Sequence, residues 1–211
     1  KNQKGYEYNF LDDKQGEEFI KNNFEEDVLK AYKILIPGAY KADLLRVCLV
    51  YIHGGVYADI KVKLNYPLDY FFDRDLVLVQ DYNISRLWNG FFASVPKNPF
   101  FKNIINKIVD RVKNKSYGLT DTDITGPLLW KKEFIKFFYE TNYGWKVNDN
   151  YRIMQFESFD DLIVVSKNNN HEPYMSIKKG YQKYYNIEKS YSVLWDERKV
   201  YDEKLWKEYF N

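Results

Sequence analysis

Cysteine is nearly absent: Cys48 stands alone among 211 residues. An internal disulfide is therefore impossible, and so is a thiolate metal cluster. Histidine is almost as scarce, at two residues. A bound metal would have to rest mainly on oxygen ligands, the chemistry of Mg2+ or Mn2+ rather than structural zinc. Charge of one sign is also lacking, since 32 basic and 30 acidic side chains leave a net +2. That balance argues against a nucleic-acid binder that works through a strong overall field. No apolar run approaches the roughly 20 residues a membrane-spanning helix needs, and no signal-peptide pattern is found. The expectation is a soluble protein, cytoplasmic or otherwise intracellular. The sequence begins with Lys1 rather than Met, which leaves room for an upstream segment.

What is abundant is apolar and aromatic. Hydrophobic residues make up 45% of the chain and aromatics 19%, including 20 tyrosines. This suffices for one substantial core. Tyrosines in such number also suit a polar cleft, because the ring packs while the hydroxyl reaches a ligand.

Periodicity supplies the elements. GYEYNFLDD, 5–13, alternates roughly and reads as a short strand followed by a turn. Val28, Leu29, Tyr32 and Leu35 recur at helical spacing, with acids at the start, so a helix is expected over 24–35. A second, broadly apolar helix is expected over 40–52, capped by Gly54 and Gly55. His53 sits at its end, where the dipole favours a cation. From Val56 to Leu64 apolar and polar residues alternate, which predicts one strand with Tyr57, Asp59 and Lys61 on its polar phase. Strands are also expected at 76–80, 90–95 and 161–166, and helices at 101–112, 128–140 and near the C-terminus. Residues 114–127 and 167–180 read as polar loops. The alternation implies an α/β fold with a mostly parallel sheet flanked by helices, with ligands at the carboxyl ends of the strands.

Asp59 and Lys61 admit two readings. Asp59 either caps a turn and pairs with Lys61 on an exposed face, or it faces a pocket for an anionic ligand. In the second case the carboxylate would hold a divalent ion while Lys61 meets phosphate oxygens. Asp43 and Arg46, three apart on a helix, are either a surface ion pair or part of the same pocket. Asn89, Asp81, Asp121 and Asp123 are each turn residues or ligand contacts. His171 is either an exposed loop residue or a ligand contact, with Lys178 and Lys179 nearby. Trp195 is either core or a stacking platform for a sugar.

KADLLRVCLVYIHGGVYADIKVKL, 41–64, resembles the DXD-containing sugar-binding region of the Och1-like and capsular-polysaccharide glycosyltransferases. The likeness rests on Ala42, Asp43, Arg46, Tyr51, Gly54, Gly55, Tyr57 and Asp59. GYEYNFLDD, Asn89 to Phe92, Pro99-Phe100, Thr125-Gly126-Pro127, His171 and Trp195 fit more loosely. The resemblance implies a single Rossmann-like domain of the GT-A type over residues 1–211, with a mixed sheet. It also implies a nucleoside-diphosphate sugar as donor (a UDP sugar first, a GDP sugar second), a glycan hydroxyl as acceptor, retention of configuration, and Mn2+ or Mg2+.

By that resemblance Asp59 is a catalytic candidate and the metal ligand; Lys61 beside it and Asp123, in the polar loop before Thr125, are the other catalytic candidates. Ala42, Asp43, Arg46, Tyr57 and Asn89 would bind the donor. Gly126, His171 and Trp195, from the looser match, with Asp81 at a strand end, Asp121 in the polar loop and Lys178 near His171, would line the acceptor or diphosphate side. The pattern departs in two places. Lys61 stands where the family has the second acid of Asp-x-Asp, and a protonated lysine has no lone pair for a metal. The family's usual opening strand, often Ile-Pro-Lys-Ile-Ile-His, has no match. Three rivals follow: a non-catalytic sugar or nucleotide-sugar binding module, a nucleic-acid interaction domain, and a transferase in which Lys61 alone supplies the positive charge.

Overall fold

The structure is a computed structural model that describes residues 3–72, 74–140, 151–158, 163–165, 175–177 and 190–211. Three helices open it: α1 (Asp13–Asn23), α2 (Glu26–Ile34) and α3 (Gly38–His53). Four strands follow, β1 (Gly55–Ala58), β2 (Val62–Leu64), β3 (Leu76–Gln80) and β4 (Leu87–Ser94). Next come α4 (Pro99–Lys113) and α5 (Pro127–Glu140), then β5 (Tyr151–Ser158), β6 (Ile163–Val165) and β7 (Met175–Ile177). Helices α6 (Tyr191–Asp196) and α7 (Glu203–Phe210) close the chain.

The N-terminal segment differs from expectation. Residues 6–12 belong to no strand. The acids at its end begin α1 instead: Gln15 N–H donates to Asp12 Oδ1 at 2.8 Å, and Asp12 N–H to Gln15 Oε1 at 2.9 Å. This reciprocal pair is a capping box, which satisfies two helix-end donors at once.

The seven strands form a single mixed sheet in the order β1-β4-β3-β5-β6-β7-β2. The α/β class and the flanking helices are as expected. The parallel share is smaller: of the six pairings among the described strands, only β3 with β5 is parallel. The loop from Asp81 to Arg86 is too short for a parallel crossover, so β3 and β4 must run antiparallel.

The strand expected over 56–64 is two strands, and they occupy opposite edges of the sheet. A flat seven-stranded sheet would separate its edges by roughly 29 Å at about 4.8 Å per step. Asp59, Ile60 and Lys61 span at most about 14 Å between Ala58 and Val62. The sheet therefore curls until its edges approach, and the Asp59–Lys61 link sits in the gap. Val62 N–H donates to Asp59 O at 2.8 Å, which makes the link a tight turn.

Curling gives the sheet two different cores. Val56 of β1 and Val62 and Leu64 of β2 join Val77, Val79, Phe91, Ala93, Met154 and Met175 on the inner face. The outer face presents Tyr57, Leu76, Leu78, Phe92 and Ile153 to the helices, where they meet Leu44, Val47, Ile104, Ile105 and Trp130. Cys48 is fully buried there, and burial pushes its thiol pKa up.

Candidate functional site

Because α3 packs against the outer face, its inward side chains meet the end of β1. Asp43 and Arg46 are buried, not a surface pair. Their charges are held by a closed set of partners. Asp43 Oδ1 accepts from Asn89 Nδ2 at 2.9 Å and lies 3.2 Å from Arg46 Nη2. Asp43 Oδ2 accepts from Thr125 Oγ1 at 2.7 Å. Arg46 Nη1 donates to Asn89 O at 2.9 Å and to Asp59 Oδ1 at 3.3 Å, and its Nε to Ala42 O at 3.1 Å. Its guanidinium lies 4.6 Å above the Tyr57 ring, which itself stacks on Phe92. The Tyr57 hydroxyl donates to Asp59 Oδ1 at 2.8 Å.

Burial shifts these groups. It pushes the Asp43 carboxyl above its ordinary range, while Arg46, Thr125 and Asn89 pull it back. Burial also opposes the charge on Arg46, yet Asp43, Tyr57 and Asp59 hold that charge more firmly than usual. The Tyr57 phenol is pushed up, chiefly by burial.

Asp59 is where this network reaches solvent. Its side chain is 20% exposed, against 11% for Asp43 and 10% for Arg46. Lys61 Nζ lies 3.4 Å from Asp59 Oδ2, and its side chain is 30% exposed. Asp59 N–H donates to Gly90 O at 2.8 Å, which fixes the end of β1 against β4. Gly54, at φ 68°, allows the turn from α3 into β1, and a Cβ there would lie 2.7 Å from Pro96 Cδ.

The other predicted residues separate into distinct settings. Asp81 follows β3 and caps the hairpin turn, its Oδ1 accepting from Asn83 N–H at 3.0 Å. It lies off the same end of the sheet as Asp59, but about four residues, roughly 13 Å, further along β4. Asp123 is fully buried in an ion cluster of its own. It lies 3.2 Å from Arg111 Nη2 and 2.6 Å from Lys132 Nζ, and accepts from Leu119 N–H at 2.8 Å. It is thus an anchor for the loop before α5, not a neighbour of Asp59's exposed oxygens.

Gly126 brings that loop close to α3, since a Cβ there would lie 3.6 Å from Asp43 Oδ2. Asp121 and Trp195 do come together, in a cleft of about 240 Å3 lined also by Leu119, Thr120, Ser192 and Asp196. Tyr40 ties this cleft to α3, its hydroxyl donating to Asp121 O at 2.5 Å. Asp59 and Lys61 are not in its lining. His171, Lys178 and Lys179 lie outside the described residues.

Sequence reasoning left Thr125 out of the site. It is fully buried and supplies one of the donors that hold Asp43. The signal was its position beside Gly126 in the Thr-Gly-Pro segment.

A divalent cation fits this donor set poorly. Among the described residues no group of three or more His, Cys, Asp or Glu side chains is placed to hold one. Asp59 Oδ1 already accepts from both Arg46 and Tyr57, and Lys61 stands against Oδ2, so at most one lone pair of the carboxylate is left for a ligand. A divalent ion about 4 Å from the Lys61 ammonium would meet roughly 8 kcal/mol of repulsion at an effective dielectric near 20.

Asp43, Arg46, Tyr57, Asp59 and Lys61 lie within the stretch that a known family matches, and Asn89 and Thr125 outside it. The family described as "Glycosyltransferase sugar-binding region containing DXD motif" matches residues 1–82. An uncharacterized glycosyltransferase of Acanthamoeba polyphaga mimivirus is 28% identical over 137 residues, covering 63% of this chain and 53% of that protein. The initiation-specific alpha-1,6-mannosyltransferase of Candida albicans is 31% identical over 96 residues, covering 44% of this chain and 25% of that protein. The chain thus spans about half the length of the first relative and a quarter of the second. Among solved structures, the PaToxG glycosyltransferase superposes with a TM-score of 0.40 at 17% identity, over 46% of this chain and 34% of that one. Residues 1–82, with Asp43, Arg46, Tyr57, Asp59 and Lys61 among them, are thus similar to the sugar-binding region of the DXD-motif glycosyltransferases.

Proposed function

We propose that the protein is a glycosyltransferase that moves a sugar from a nucleoside-diphosphate sugar to a glycan hydroxyl, with retention of configuration. The observation that carries this reading is the setting of Asp59. A single carboxylate at the end of β1 is held by Arg46 and Tyr57 from within and stands beside Lys61 at the surface. Such a pair offers an acceptor for a sugar hydroxyl and a cation for a diphosphate.

Each residue then has a physical task. Asp43 touches internal donors with both oxygens, so it positions Arg46 and Asn89 rather than meeting the donor itself. Arg46 fixes the Asp59 carboxylate. Asp59 orients the donor sugar. As the bond from the anomeric carbon to the diphosphate oxygen breaks, negative charge grows on the leaving group, and the Lys61 ammonium stabilises it. Positioning and fixed charge supply the catalysis, with little covalent work asked of the protein. The cleft at Asp121 and Trp195 is small for a whole nucleotide sugar. Its carboxylates and hydroxyls suit an acceptor sugar, while the Trp195 indole already donates to Tyr117 O at 2.8 Å and has the Arg198 guanidinium 4.7 Å from its ring. His171 belongs with the diphosphate on resemblance alone, and Lys178 on its nearness to His171 in the sequence. A UDP sugar is the first donor to test and a GDP sugar the second; the name of the Candida relative adds mannose to the sugars worth including.

A panel of nucleoside-diphosphate sugars in a thermal-shift assay tests the reading. Ligand at about 100 times its Kd adds roughly 2.7 kcal/mol to stability, or about 5–11 °C in a chain of this size. Transfer or donor hydrolysis above an Asp59→Ala control completes it. Shifts without any turnover would favour a non-catalytic binding module, the reading that the missing second acid supports. No shift and no turnover with any donor would remove the proposal.

A further inference from the structure

We propose that Lys61 takes the place of the divalent cation, so that the site grips a nucleoside diphosphate without metal. This inference rests on the glycosyltransferase reading and concerns the same site.

Donor capacity at the end of β1 supports it. The Arg46 guanidinium is engaged on every nitrogen: Nε with Ala42 O, Nη1 with Asn89 O and Asp59, Nη2 with Asp43. It sits 10% exposed with its face against Tyr57. Four of its five N–H donors are taken, and its burial turns the group away from a phosphate in the cleft. Lys61 differs in each respect. Its ammonium has three N–H donors, and Asp59 Oδ2, at 3.4 Å, takes at most one. Two remain for phosphate oxygens, on a side chain that is partly exposed.

Backbone geometry directs the ammonium. Lys61 occupies the turn between β1 and β2, where Val62 N–H closes on Asp59 O. The two strands run to opposite edges of the sheet, so the turn is held at both ends. The ammonium is therefore fixed beside Asp59 by the chain and by the ion pair together. A metal at Asp59 would have to crowd Oδ1 with Arg46 and Tyr57, displace the ion pair at Oδ2, or share Oδ2 beside the ammonium. The same position cannot serve both cations, and the chain supplies one of them permanently.

Two titrations on the full chain test this, one with Mn2+ alone and one with UDP or GDP. In the first, electron spin resonance follows free Mn2+. The wild type is expected to show no saturable site below about 1 mM, and Lys61→Asp, which completes Asp-x-Asp, is expected to gain one by at least about tenfold in affinity. In the second, calorimetry measures UDP and GDP in EDTA and in Mn2+. The wild-type Kd should agree within about twofold between the two conditions, while Lys61→Met weakens binding at least about tenfold and Lys61→Arg restores most of it.

One saturable Mn2+ site per wild-type chain overturns the inference, as does diphosphate binding that tightens tenfold or more on adding Mn2+. Failure of Lys61→Asp to gain a site also overturns it, because the ammonium is then not what excludes the ion. Binding of neither diphosphate nor any nucleoside-diphosphate sugar, in any condition, is a different result. It removes the glycosyltransferase reading, and this inference with it.

Discussion

Asn89 and Asp43 stand 46 residues apart in the chain and meet at 2.9 Å, the Asn89 amide donating to Asp43 Oδ1. The contact joins β4 to α3 behind the end of β1. Asn89→Ala removes a donor from a buried carboxylate while leaving the Asn89 carbonyl to Arg46. A buried charged group that loses a partner costs about 2–3 kcal/mol, so Tm should fall by about 4–12 °C for a chain of this size. Asn89→Asp should fall further, because it sets a second carboxylate against the first. Thermal melting of both variants checks the order. An alanine variant less stable than the aspartate one would mean the amide contributes shape rather than a donor.

Asp43 also predicts a pH dependence. Burial raises its folded-state pKa above the ordinary carboxylate value of 3.8. The folded state then binds this proton more readily than the unfolded state. The penalty for ionising Asp43 is absent below that ordinary value and grows as pH rises toward the folded-state pKa. Asp43→Asn cannot ionise and escapes the penalty. The stability gap between wild type and Asp43→Asn should therefore move in the variant's favour as pH rises from about 4. Urea unfolding across pH measures it. A gap that moves toward the wild type would mean that Arg46, Asn89 and Thr125 outweigh burial.

The two glycines before β1 are not equivalent. Gly54 has φ 68° and no room, since a Cβ would lie 2.7 Å from Pro96 Cδ and 2.9 Å from Pro96 N. Gly55 has φ 94° and nothing within 4 Å. Gly55→Ala should cost only its backbone strain, roughly 1–2 kcal/mol. Gly54→Ala adds a clash with the backbone of Pro96 and should cost about 3 kcal/mol or more. Denaturant midpoints at unchanged slope report both. Equal costs would mean the Pro96 segment yields freely.

Much of this arrangement could be read from local pattern, and the exceptions have physical causes. Helices such as α2 and α4 repeat their apolar residues at the helical period, so burial on one face suffices to reveal them, while β3 shows as a continuous apolar run buried on both faces. Helix α1 does not, because of its described residues only Gly16 and Ile20 are buried. Gly16 reads as a breaker, yet it is small because a Cβ would lie 2.6 Å from Leu45 Cδ2. The run from Val56 to Leu64 keeps its alternation through the turn at Asp59, so no local signal marks where one strand ends. That the two halves lie on opposite edges depends on pairing with β4 and β7, far away in sequence. The antiparallel β3–β4 pair was not expected, because the second strand begins at Leu87 rather than at 90, and only that earlier start makes the loop short. The Asp43, Arg46 and Asp59 grouping could be inferred from motif spacing. Their burial could not, because Asn89 and Thr125 reach them from other elements.

Asp123 offers the sharpest separation of a structural role from a catalytic one. It is fully buried and neutralises Arg111 and Lys132, whose side chains are 17% and 39% exposed. Arg111 Nε is itself buried without a partner, so the cluster has no spare acceptor to compensate. Asp123→Ala would strand a largely buried guanidinium, and breaking such a pair costs about 3–5 kcal/mol. The melting temperature should drop by about 6–20 °C. Asp123→Asn keeps the oxygen that accepts from Leu119 N–H but loses the charge, and should fall between. At a temperature where both variants remain folded, the Kd for the nucleoside diphosphate should stay within about twofold of wild type, because the cluster does not touch Asp59 or Lys61. The opposite pattern, full stability with turnover abolished and binding intact, would return Asp123 to the chemistry and require this loop to open toward the donor.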